Sequence, residues 1–172
     1  VRRRGGVISL VLLLAVSSLV LAGCGRDDPW EGTKKAKLWL DITPSVIYYN
    51  EPTTMRFSLQ ELGAVAVNLN YYRHQLYWRD GKEEDYTLTG ETGARKFLVL
   101  FGTCYLPEFG VLEATFLGVV YDESEGLVRE IITMGGTDTK GNFVKDSDEF
   151  SVLSRQEANA PLVGEGFSPK AG

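Results

Sequence analysis

Histidine occurs once in this chain of 172 residues, cysteine and methionine twice each, and each scarcity closes a chemical route. With His74 alone, no site built on paired histidines can form, and a Ser-His-Asp arrangement would have to use that one residue. No serine stands in a Gly-x-Ser-x-Gly elbow. His74 lies between Arg73 and Gln75 in an aromatic stretch, where an ordinary strand position is expected. A basic surplus is also missing: 18 Lys and Arg face 23 Asp and Glu, for a formal charge of −5. That sign disfavours nucleic acid, whose phosphates select basic surfaces. Beyond the N-terminal segment, no window keeps a 3.6-residue apolar period for more than one turn, so helices are not expected there. The residues predict a protein that is not an enzyme, with no cofactor and no metal centre.

What is present begins at the N-terminus. Arg2, Arg3 and Arg4 precede an apolar run from Val7 to Ala22, interrupted by Ser9, Ser17 and Ser18. This is the division of a secretory signal. A membrane span needs about 20 predominantly apolar residues, and this run is shorter and leads into Gly23, Cys24, Gly25, Arg26, Asp27, Asp28 and Pro29. Leu21-Ala22-Gly23-Cys24 resembles the lipobox of bacterial lipoproteins.

The resemblance implies a diacylglyceryl group on the Cys24 sulfur, cleavage just before Cys24, and acylation of the new amine, with fatty chains such as palmitate. Residues 1–23 are then a helical signal peptide and residues 24–36 a lipidated tether, which places the mature domain outside the cytoplasm on a bacterial membrane of the cell envelope. Each buried methylene contributes about 0.8 kcal/mol, so several chains anchor where one binds only marginally. Removing 23 of the 172 residues leaves 149, with 15 basic against 23 acidic side chains and a formal charge of −8. Under this reading the anchor is the membrane contact and Cys104 has no partner within the chain, so Cys104 reads as a small buried hydrophobe.

From Lys37 onward the apolar period is two. Leu38, Leu40 and Ile42 share one face, and Met55, Phe57 and Leu59 share another strand's face. Val65, Val67, Leu69 and Tyr71 continue the pattern, while Leu76 and Trp78 fall on the opposite parity, which a β-bulge near Tyr71-Tyr72 would reconcile. Asp80-Gly81 marks a hairpin turn. Gly90 to Gly93 reads as a loop, and the unbroken apolar run Phe97 to Phe101 as a strand buried on both faces. Val111 to Tyr121 reads as a long strand with Leu112, Ala114, Phe116, Gly118 and Val120 on the core side. Gly135-Gly136 and Gly141-Asn142 bound a turn, and Phe143-Val144 with Phe150 to Leu153 form the last strand or two.

Short strands at this spacing predict an all-β fold, an antiparallel sandwich of about 7 to 8 strands over residues 37–153, followed by a flexible tail over 154–172. The strand spacing and the turn Gly136-Thr137-Asp138-Thr139-Lys140-Gly141-Asn142 resemble immunoglobulin-like and fibronectin-like domains of bacterial surface proteins. The antibody-type Cys pair around a Trp is absent.

Carboxylates gather at Glu83-Glu84-Asp85, Asp122-Glu123-Ser124-Glu125 and Asp146-Ser147-Asp148-Glu149. They read as solvated turns, with calcium ligation as a second reading; the last run lacks the Gly and Glu spacing of an EF-hand loop. Tyr71, Tyr72, Tyr77 and Trp78 surround the Arg79 to Lys82 turn, and Tyr72, Tyr77, Trp78 and Arg79 form the candidate binding face. Two functions compete: a non-catalytic interaction or structural module contacting an unknown envelope protein or glycan, and a carbohydrate- or small-ligand-binding lipoprotein using that aromatic region.

Overall fold

The computed structural model describes residues 34–158. The expected signal peptide, lipidation at Cys24, nearly all of the tether and the tail from residue 159 lie outside the described residues. Within them the chain is mostly β. Nine strands are formed: β1 (Leu38–Thr43), β2 (Val46–Tyr48), β3 (Thr53–Glu61), β4 (Val67–Trp78), β5 (Glu83–Thr89), β6 (Tyr105–Leu106), β7 (Val111–Val119), β8 (Leu127–Asp138) and β9 (Phe143–Leu153). A 12-residue helix, α1 (Gly90–Phe101), separates β5 from β6, and a four-residue helix, α2 (Arg155–Ala158), follows β9.

One sheet has the antiparallel order β1-β3-β7. The other runs β2-β9-β8-β4-β5, with β6 also paired to β4 and only β2 parallel to its neighbour, β9. The alternating side chains of both sheets meet in one core: Leu40, Ile42 and Leu59 come from the first, Met134, Phe150 and Val152 from the second. Burying each contributes roughly 1.5–3 kcal/mol. The outward partner Trp39 is 49 % exposed, as the period of two requires.

The expected irregularity in β4 is present, since its register with β8 shifts between Leu69 and Tyr71. That extra residue turns Tyr72 and His74 inward. The Arg79–Lys82 hairpin also forms, closed by the Gly81 N–H donating to the Trp78 carbonyl.

Several expectations are corrected. Gly90 to Phe101 is neither a loop nor a doubly buried strand but a helix: Phe97 is 0 % exposed while Val99 is 82 % exposed. Gly93, Phe97 and Phe101 recur at helical spacing, and the apolar residues between them hid that period. A Cβ at Gly93 would come 2.1 Å from the Asn70 carbonyl oxygen, so glycine permits the helix to lie directly on β4. In β7 the inward alternation holds for Leu112, Ala114 and Phe116, then fails at Gly118. Gly118 takes a φ of +67°, Val119 and Tyr121 turn toward the core, and Val120 turns out.

Gly135 and Gly136 do not bound a turn; they sit inside β8, where a Cβ at Gly136 would be 2.0 Å from the Asn68 carbonyl oxygen. The turn is Asp138–Asn142. The run Asp146 to Glu149 is likewise no turn but the middle of a single β9, and Glu83 to Asp85 opens β5, where Asp85 accepts two bonds from Arg73 Nε at 3.0 and 3.1 Å.

The inward aspartates of β9 have a structural task. The Leu40 N–H donates to Asp146 Oδ2 (2.8 Å) and the Ile42 N–H to Asp148 Oδ2 (2.7 Å). The Ala36 N–H donates to Asp138 Oδ2 (3.2 Å). The free edge of β1 is thereby closed by side chains in place of another strand. Glu61, 1 % exposed, plays a similar part at the end of β3. Its carboxylate accepts from the backbone N–H groups of Lys37, Gly63, Val65 and Phe109. Burial pushes its pKa up, but those four donors outweigh it and hold the group below the usual carboxylate range.

Candidate functional site

On the side of the molecule away from β1, α1 lies over β4 and beside β7. Between them is a cavity of about 240 Å³. Its floor is core: Met55 from β3, Ile132 and Met134 from β8, Phe150 from β9. Its rim is formed by Lys96 and Leu100 of α1 and by Phe116 and Val119 of β7, with Phe116 37 % exposed.

One wall is polar. His74 Nε2 and Glu130 Oε2 are 2.6 Å apart, and the Tyr121 hydroxyl lies 4.0 Å from Met55 Sδ. His74 and Glu130 meet because β4 and β8 are neighbouring strands and both side chains have inward parity, Glu130 standing in line with Ile132 and Met134. Burial pushes the Tyr72 hydroxyl up to about 12, with the Glu130 charge adding to it. The same two causes, burial first, raise Tyr121. Both phenols therefore remain protonated donors at neutral pH. The lining residues include no Ser, Thr or Cys. Lys96 places its ammonium 5.0 Å from the centre of the Tyr72 ring.

The candidate binding face is divided. Tyr72, 7 % exposed, points into the cavity, whereas Tyr77 has the opposite parity and lies on the outer face under the Arg129 guanidinium, 4.3 Å from its ring centre. Trp78 and Arg79 remain together in a second hollow, a cleft of about 490 Å³ between the β4–β5 turn and the Ser124–Gly126 turn. Lys82 stands 5.4 Å from the Trp78 ring, and the buried Trp78 Nε1 has no hydrogen-bond partner among the described residues. The larger cleft is walled chiefly by exposed turn residues. The smaller cavity is built from strands and a helix, and the buried Glu130 carboxylate lines it.

The sequence reading missed Glu130, Lys96 and Tyr121. Glu130 carried a legible signal, an acid at an inward position of an apolar strand; Lys96 did not, because its helix was not foreseen. Cys104 is half-buried against the core edge and has no disulfide partner among the described residues. Among the described residues no three His, Cys, Asp or Glu side chains gather as a metal would require, and no helix is long and apolar enough to cross a membrane.

No protein family and no curated protein matches the chain. Solved structures do. The ApaA protein from Bordetella pertussis is 10% identical, over 72% of this chain and 98% of that one, with a TM-score of 0.46. Murine CRIg is 10% identical over 69% and 98%, with a TM-score of 0.40. The Pseudomonas fluorescens alkylpurine DNA glycosylase AlkC, solved on DNA containing an abasic site analog, is 14% identical over 72% of this chain, with a TM-score of 0.38; the chain spans 32% of its length. At these identities and scores the likenesses assign neither a family nor an activity.

Proposed function

We propose that the chain is a lipid-anchored cell-envelope protein whose β domain is a non-catalytic interaction module. The observation that carries this reading is the order at the N-terminus: three arginines, an apolar run, Leu21-Ala22-Gly23, then Cys24. The strand order supports an immunoglobulin-like sandwich. Sheets β1-β3-β7 and β2-β9-β8-β4-β5, with α1 between β5 and β7 where such domains place a further strand, follow that pattern.

The non-catalytic half rests on the cavity, whose one imidazole is engaged by Glu130 and whose lining offers no Ser, Thr or Cys nucleophile. The interaction half rests on β7. It is an edge strand, and Val111, Leu117 and the following Val120 are exposed, Leu117 by 80 %. Such an edge is a template for an extended segment of another envelope protein.

Metabolic labelling with palmitate tests the anchor: the wild type is labelled and Cys24→Ser is not. An equally labelled Cys24→Ser band refutes it. A photo-crosslinking side chain at Leu117 tests the edge in intact envelopes. A discrete adduct, lost when Val120 is changed to Lys, supports the module; no adduct refutes it.

A further inference from the structure

We propose that the cavity between α1 and β7 is a binding site for a small amphiphilic carboxylate, its ring or short acyl chain among Met55, Ile132, Met134 and Phe150 and its charge at Lys96. The site is the gap beside β7, rimmed by Phe116 and Val119, and it does not depend on the lipid anchor.

Size sets the first limit. The volume, about 240 Å³, exceeds the roughly 150 Å³ that holds a benzene ring in an apolar protein cavity, and falls short of the 300–1,000 Å³ typical of drug-sized ligands. A single ring with a two- or three-atom arm matches it. The floor is apolar and sealed, with Met134 and Phe150 at most 1 % exposed, so the ring end of a ligand goes inward. The rim at Phe116 is open, so a charged end stays at the mouth.

Charge decides the head group. Glu130 is the one carboxylate in the lining, and it is already engaged by His74 Nε2 at 2.6 Å. Lys96 is the opposite case. It stands at the rim over the Tyr72 ring, and no carboxylate lies within ion-pair distance of it among the described residues. A cation held beside an apolar hollow, with its own carboxylate partner missing, is complementary to an anionic head on an apolar body. An ammonium head would meet Lys96 repulsively before it reached Glu130.

Three fluorinated probes with one body separate these cases: 4-fluorophenylacetate, 2-(4-fluorophenyl)ethanol and 2-(4-fluorophenyl)ethylammonium. Each is titrated by fluorine NMR against the full chain in lipid nanodiscs, with empty nanodiscs as reference. The carboxylate is expected to bind most tightly and the ammonium least. Lys96→Gln is expected to weaken the carboxylate about three- to fivefold, the upper end for one ion pair at a half-exposed site, while changing the alcohol less than about 1.5-fold. Leu100→Trp, which fills the mouth, should remove binding of all three, with circular dichroism confirming that the β signal is retained. No binding of the carboxylate beyond empty nanodiscs overturns the proposal. So does an ammonium that binds as tightly as the carboxylate, or a Lys96→Gln variant that keeps full carboxylate affinity.

Discussion

The three-stranded sheet ends differently on its two sides. At β1 the unpaired N–H groups of Leu40 and Ile42 point at Asp146 and Asp148, and the flank is stitched shut. At β7 no such carboxylates reach across among the described residues; a helix stands beside the strand and leaves a cavity with an open rim. The same problem, an edge without a next strand, is answered once by hydrogen bonds and once by a gap. The closed flank is held by side-chain hydrogen bonds, and the open one is where the proposed contacts are placed.

The comparison breaks most severely at Glu61, which ties the start of β1 to the end of β3 and the approach to β7. Glu61→Leu removes the acceptor of four backbone N–H groups, that of Val65 in a buried bond and those of Lys37, Gly63 and Phe109 in part-buried ones. With about 1–3 kcal/mol for the buried donor and less for each of the others, the loss should be about 3–5 kcal/mol, read by urea denaturation at 25 °C. Asp146→Ala with Asp148→Ala unstitches only the β1 flank and should cost about 2–4 kcal/mol by the same measurement.

Gly93→Ala pushes α1 off β4 and should cost roughly 1–3 kcal/mol, an overpacking effect that also alters the cavity. On the open flank, Leu117→Lys should change stability by less than about 0.5 kcal/mol, because the side chain is already in water. A large loss there would show that the open edge is structural after all.

Acid sharpens the same contrast. Glu61 and Asp138 both lie below their ordinary values of 4.5 and 3.8; in each, burial opposes the shift, while hydrogen bonds outweigh it, the Asn142 side chain and the Asn142, Ala36 and Lys140 N–H groups serving Asp138. Their contribution is therefore whole above about pH 4.5 and is lost as pH falls through the depressed folded values. Chemical denaturation at successive pH values should show midpoints that fall below about pH 4.5. Glu61→Gln, which cannot ionise, should flatten the part of that slope due to residue 61.

Much of the strand framework was legible because a period of two needs only neighbours on one strand. Leu38-Leu40-Ile42 and Met55-Phe57-Leu59 announce their buried faces without reference to anything else. The extra residue in β4 could be read because two stretches of alternation disagreed in parity. What could not be read depended on contacts across the fold. Gly93 and Gly136 look like turn residues until the Asn70 and Asn68 carbonyls are seen pressing against them.

Asp146 and Asp148 look like surface acids until β1 is laid beside β9. The Phe97–Phe101 run was misread because an apolar stretch without gaps carries no period, and the helix that it completes places Lys96. The candidate binding face is divided for a simpler reason: Tyr72 and Tyr77 are separated by five positions with no intervening irregularity, so one faces in and the other out.

The stitching of β1 also sets an order of events. Leu40 and Asp146 are 106 residues apart in sequence, as are Ile42 and Asp148, so the first strand of the domain cannot be finished until nearly the last has arrived. A chain delivered from its N-terminus would carry β1 half-made through most of its passage, ready to be threaded and slow to lock. Completion comes as a late, long-range closure, and a chain cut short before Asp146 would keep the hydrophobic strand but never its fastening.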